Sequence, residues 1–141
     1  MDKRLENLEM VVPESLDADF TYAYGDGAED GMTMNAYQKL AARTINHDLN
    51  DNEMMYHALH GMVGEIGEIN SMYQKLYQGY LIDEDHMKKE IGDLMWFVAE
   101  FCTSHGWTLD EIATMNIDKL KARYPDGFTE ERSLHRVQGD V

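Results

Sequence analysis

The chain has 141 residues, 43% of them hydrophobic, with two prolines and one cysteine, which bounds it to one ordered domain able to bury about two-thirds of its unfolded surface. Its formal charge of −15 opposes nonspecific binding to nucleic acid or an anionic membrane, while leaving room for a small polyphosphate bridged by divalent cations. No apolar run nears the roughly 20 residues of a membrane span, "MDKRLENLEM" carries no hydrophobic leader segment, and Cys102 within "WFVAEFC" reads as a small buried hydrophobe; the expectation is a cytoplasmic protein without redox chemistry.

Residues 1–31 hold nine acids against two bases and end in "YGDGAEDG". That composition predicts an acidic N-terminal extension, in which Leu5, Leu8, Val11 and Val12 offer at most a short docking helix. Thr33 is positioned to cap a first helix through "MNAYQKLAARTI", with Met34, Tyr37, Leu40, Ala41 and Ile45 at helical spacing. The polar stretch "NHDLNDN" reads as a connection. A second helix is predicted from Glu53 to Gln78, with Met55, Leu59, Met62, Ile66, Ile69, Tyr73 and Leu76 inward and Gly79 as its stop.

The third helix is predicted from Asp83 to just before Gly106, its Ile91, Leu94, Met95, Val98, Phe101 and Cys102 following the i, i+3, i+4, i+7 pattern. "TLDE" then supplies a capping box, Thr108 with Glu111, for a fourth helix that Pro125 and Gly127 end. No segment makes a convincing strand, so the fold class expected is all-α. Residues 129–141 read as a polar tail of weak pattern.

Two steps of the same kind stand out in this helical frame: Glu65 with Glu68, and Glu90 with Asp93. Residues three apart on a helix point within about 60° of each other, so each pair shares one side, beside the apolar stripe. If the stripes pack together, four carboxylates converge at one margin of the helix pair, where repulsion raises pKa values or demands counter-cations. Such oxygen donors suit Mg²⁺ or Mn²⁺. A single acidic pair is ordinarily a solvated helix face; its repetition beside the core is what favours a metal site.

These residues resemble the MazG-like branch of the all-α nucleoside triphosphate pyrophosphohydrolases, whose pattern is E-x-x-E, a spacer, then E-x-x-D. Here the match is Glu65-Ile66-Gly67-Glu68 and Glu90-Ile91-Gly92-Asp93, within "GEIGEI" and "KEIGDLMWF". "YQKLAART" is similar to the family's first helix and "MNIDKLKARYPDGF" to the closing helix of small, phage-type members. The resemblance spans residues 32–128 and implies a four-helix bundle, assembled as a homodimer or homotetramer. It also implies cleavage of a nucleoside triphosphate between its α and β phosphates, with Glu65, Glu68, Glu90 and Asp93 as metal ligands and catalytic carboxylates.

Asn116, Lys119 and Arg123 fall on one helical stripe, and the similar family segment supports phosphate contacts there, although basic residues near a helix C-terminus also complement its dipole. Lys75 follows Glu68 by two turns and shares its side. Gln38, Tyr37, His60, Trp96 and Trp107 are candidate base contacts that core or interface positions also explain, and His57 with His60 in "HALH" also reads as a partly exposed helix edge. Four other readings compete with this one. His47-Asp48 suggests an HD-type phosphohydrolase, but from a polar connection that does not fix ligands rigidly. No Glu-x-x-His step supports a di-iron bundle. The charge of −15 and the acidic N-terminal region suggest an acidic interaction protein that mimics nucleic acid; a family member that binds nucleotide without cleaving it is a separate reading, against which the presence of all four carboxylates argues.

Overall fold

A computed structural model describes residues 32–135. The acidic extension 1–31, with its suggested docking helix, and residues 136–141 lie outside the described residues. Five helices and no strand occupy the described chain: α1 Met34–Ala42, α2 Asp51–Leu76, α3 Glu84–Ser104, α4 Leu109–Arg123 and α5 Glu130–Leu134. The expected all-α class stands. The short α5, capped by Thr129, lies in the stretch expected to be weakly patterned.

Local chemistry sets the boundaries. Thr33 Oγ1 accepts from Ala36 N at 3.1 Å, satisfying one of the orphan donors of the first turn. Asn50 accepts from Asn52 N and Glu53 N, while the Glu53 carboxylate accepts in turn from Asn50 N at 2.9 Å. This reciprocal box starts α2 two residues earlier than predicted. Asp83 caps α3 by accepting from Asp85 N and His86 N, and Thr108 caps α4 by accepting from Glu111 N. α2 and α3 both end in the six-to-one closure that needs a left-handed residue. Gly79 at φ 87° permits Tyr80 N to reach Lys75 O, and Gly106 at φ 69° permits Trp107 N to reach Cys102 O.

α2 and α3 pack antiparallel. Side chains meet in opposite chain order, His57 with Glu100, Gly61 with Phe97, and Tyr73 with Met87. The Phe97 ring lies directly over the Gly61 backbone, where a larger residue would hold the helices apart. α1 crosses α3, and α4 packs chiefly against α1. Trp96 joins the two small cores, Ala41, Ala99, Cys102 and Leu109 on one side and Ala42, Ile45 and Met54 on the other. Its Nε1 donates to Thr44 Oγ1 at 2.7 Å. Met54 is 1% exposed, and burying such a side chain stabilises by about 1.5–3 kcal/mol.

The inward stripe of α2 is rotated from the predicted one. Met54, Ala58 and Met72 are buried, Met55, Met62 and Ile69 are half-buried, and Leu59, Ile66, Tyr73 and Leu76 are exposed. The apolar arc of α2 is wider than one face, and its small residues Ala58 and Gly61 allow the closest approach, so packing selects their flank. On α3, likewise, Ile91 and Met95 are exposed while Glu90, Ala99, Glu100 and Thr103 are buried. The first helix stops at Ala42, short of the predicted Ile45, which is nevertheless buried. No described helix is long and apolar enough to cross a membrane.

Candidate metal centre

The antiparallel register that pairs Gly61 with Phe97 brings the next turn of α2, carrying Glu65, level with Glu90 and Asp93 on α3. One ligand atom each from Glu65, Glu90 and Asp93 lies within 4.8 Å of the others, and the same holds for Glu68, His86 and Glu90. Glu90 belongs to both triads and is 7% exposed, whereas Glu68, His86 and Asp93 are exposed and Glu65 is half-buried. The four acids of the sequence motif thus converge from two helices, with one of them inside the interface rather than at its margin.

The electrostatics match the geometry. Desolvation comes first in holding the Glu65 carboxyl above its ordinary pKa, followed by a hydrogen bond to Glu90 and repulsion from Glu90, Asp93 and Glu68. Carboxylates crowded in this way favour either the protonated form of Glu65 or a neighbouring cation. Tyr37 closes the site from α1: its hydroxyl lies 3.5 Å from Gly92 O, and burial, then repulsion from Asp93, raises its phenol pKa. Crowded oxygen donors of this kind fit a hard divalent cation.

The other candidates are spread more widely. Lys75 is exposed on α2, and Asn116 and Lys119 are exposed on α4 with Arg123 half-buried; α4 packs chiefly on α1, not on the pair that carries the carboxylates. Gln38 must be reassigned. It is fully buried, its Nε2 donating to Thr103 Oγ1 at 3.2 Å and Trp107 O at 2.9 Å and its Oε1 accepting from Leu109 N at 2.7 Å. An amide with every strong contact inside the α1–α3–α4 corner is a strut and not a surface for substrate. Trp96 is likewise part of the core, His60 is exposed, and Trp107 stacks on His105 at 4.4 Å between ring centres. His47 and Asp48 are exposed in the turn before α2.

Two groups escaped the sequence reading. His86 stands one turn before Glu90, its Nε2 2.7 Å from Glu90 Oε1; the i, i+4 spacing was the available signal. Glu100, two turns after Asp93, is 1% exposed. Its Oε2 lies 2.8 Å from His57 Nδ1, and its Oε1 has no hydrogen-bond partner among the described residues. Burial raises the Glu100 pKa, and the hydrogen bond and charge of His57 oppose that rise. Nothing in "FVAEFC" signals such a carboxylate beyond its place in an apolar run. Cys102 is 3% exposed, and burial raises its thiol pKa, consistent with the small hydrophobe expected there.

The family model of the MazG nucleotide pyrophosphohydrolase domain matches residues 55–128, from early α2 to the turn beyond α4. The chain belongs to the MazG nucleotide pyrophosphohydrolase family. This MazG chain is also similar to the gene 37 protein of Mycobacterium phage L5, 30% identical over 105 residues that cover 68% of this chain and 92% of that protein. No solved structure matches significantly. The matched MazG residues include both acidic steps and Asn116, Lys119 and Arg123; Tyr37 and the rest of α1 lie before them. A nucleotide pyrophosphohydrolase domain, metal-dependent as a family, therefore coincides with the carboxylate cluster.

Proposed function

We propose that this MazG protein hydrolyses nucleoside triphosphates, ribo- or deoxyribo-, between the α and β phosphates to give a monophosphate and pyrophosphate in the cytoplasm. Glu65, Glu68, Glu90 and Asp93 hold the divalent cation, Mg²⁺ or Mn²⁺. The observation that carries the reading is the meeting of these four carboxylates from α2 and α3 around the buried Glu90. A divalent cation held there would supply positive charge against the triphosphate and lower the pKa of a water.

The chain's own groups do the rest. Positive charge beside Glu65 would offset the repulsion from Glu90, Asp93 and Glu68 that helps to raise its pKa. One of the four carboxylates orients the attacking water. Lys75, Asn116, Lys119 and Arg123 are the proposed phosphate contacts, Lys as a point charge and Arg as a planar fork of donors. Those on α4 act through its placement beside α1, whose Tyr37 already reaches the site. The domain that does this work comprises residues 32–128.

A homodimer or homotetramer belongs to the same reading. Its support is the outer flank of α2, where Tyr56, Leu59, Val63 and Ile66 are exposed at the three- and four-residue spacing by which helices pair. Light scattering checks this: the wild type is expected to exceed the monomer mass and Val63→Lys to approach it.

The catalytic reading is tested by incubating a panel of nucleoside triphosphates with Mg²⁺ and following products by phosphorus NMR. Pyrophosphate is the expected primary product; orthophosphate alone would exclude the proposed bond cleavage. An acidic protein that merely mimics nucleic acid would bind a basic partner whether or not chelator is present, and would release neither product.

A further inference from the structure

The carboxylate cluster has two halves of different chemistry. Glu65, Glu90 and Asp93 offer oxygen alone, whereas Glu68, His86 and Glu90 offer two oxygens and an imidazole nitrogen, and in each half one ligand atom per residue lies within 4.8 Å of the other two. Ions bound at 2.0–2.2 Å hold opposite ligands about 4.4 Å apart, so small side-chain rotations close either half on a cation.

His86 is well placed for this. Asp83 caps α3 by accepting from the His86 backbone N–H at 3.1 Å, which fixes its main chain in the first turn. Its Nε2 meets Glu90 Oε1 at 2.7 Å, and Glu68 reaches the same point from α2. An i, i+4 histidine and glutamate on an open helix surface would be a weak ion pair. Here the glutamate side chain is only 9% exposed while the imidazole is 53% exposed, and a third ligand arrives from another helix.

We propose that His86 Nε2, with Glu68 and Glu90, forms a second cation position that prefers a first-row transition ion such as Mn²⁺ to Mg²⁺. Mg²⁺ takes oxygen ligands and keeps its waters, whereas imidazole nitrogen suits the transition ions. The inference rests on the proposed metal site and extends it from four carboxylates to a mixed nitrogen and oxygen set. Glu90 serves both positions, one carboxylate oxygen to each.

The test uses the full chain and the metals alone. Calorimetric titrations with Mn²⁺ and with Mg²⁺ are compared for the wild type, His86→Ala, His86→Gln and Glu65→Gln, with circular dichroism as the check on folding. In parallel, histidine ring signals of the wild type are followed by NMR as Mn²⁺ is added below stoichiometry. The His86 ring is expected to broaden before the other histidines. Both His86 variants are expected to lose about tenfold or more in Mn²⁺ affinity, with Mg²⁺ affinity changed by less than about twofold. Unchanged Mn²⁺ binding in His86→Ala, an equal loss for both metals, or a His86 ring that broadens no earlier than the others overturns the inference. If cations still bind and binding falls in Glu65→Gln, the carboxylate site stands without His86; a wild type that binds neither metal removes both.

Discussion

Replacing Gly61 by alanine probes the closest approach of α2 to α3, on which the placement of Glu65 against Glu90 depends. In a helix interior alanine is favoured over glycine by about 0.8–1.0 kcal/mol. At Gly64 and Gly67 an added Cβ meets nothing within 4 Å, so there the gain is expected in full. At Gly61 the Cβ overlaps three atoms of the Phe97 ring. That ring is held edge-on by Trp96 at 5.0 Å and tilted against His57 at 5.6 Å, so relief requires a shift of the packed cluster, which costs about 1–3 kcal/mol. Helix propensity cancels between the two substitutions, so Gly61→Ala is expected to fall below Gly64→Ala in stability by that same ~1–3 kcal/mol. Equilibrium urea unfolding at fixed protein concentration measures the difference, and Phe97→Leu in the Gly61→Ala background is expected to recover part of it. Equal stabilisation by Gly61→Ala and Gly64→Ala would refute the steric account of this helix contact.

Glu90→Gln removes a charge from both halves of the cluster and is expected to lower kcat/KM for triphosphate cleavage by at least about 100-fold, roughly 2.7 kcal/mol at the usual conversion; steady-state pyrophosphate release measures it, and near-wild-type rates would discount the site. Chelation is expected to abolish turnover and Mg²⁺ to restore it, both read in the same assay. Glu100 has a folded-state pKa above the ordinary 4.5, so the folded chain binds the proton more tightly and loses stability as pH rises through that window. The stability of the wild type relative to Glu100→Gln is therefore expected to increase as pH falls from neutral toward 4.5, measured by unfolding at several pH values, and a difference flat in pH would contradict the buried-charge account. Asn50→Ala is expected to destabilise by about 1 kcal/mol through loss of the α2 cap, seen as a lowered urea midpoint at unchanged slope.

Elements set by short-range chemistry were legible in the residues. Thr33, Asp83 and Thr108 each stand where a cap or helix start was expected, and Gly79 and Gly106 end the helices they were expected to end. The acidic steps could be placed on common helix sides because the 3.6-residue period is local. What failed was the choice of inward face on α2. Leu59 and Ile66 are as hydrophobic as core residues, yet they are exposed, while Ala58 is buried and Gly61 lies under the Phe97 ring of α3. Hydrophobicity ranks residues one at a time, whereas close approach depends on which small residues meet a ring from the other helix.

By itself, the chain's order of residues determined an all-helical domain, the helix ends within a few positions, and two carboxylate pairs each on one side of a helix, because capping and helical period act within a few residues. Only the tertiary structure decided that Glu90 is buried between its neighbours, that Gln38 is a strut, and that His86 stands with Glu68 at one point. Those outcomes depend on the register of α2 against α3, which is fixed by packing between residues more than thirty positions apart, such as Gly61 and Phe97. No period within either helix encodes such a pairing.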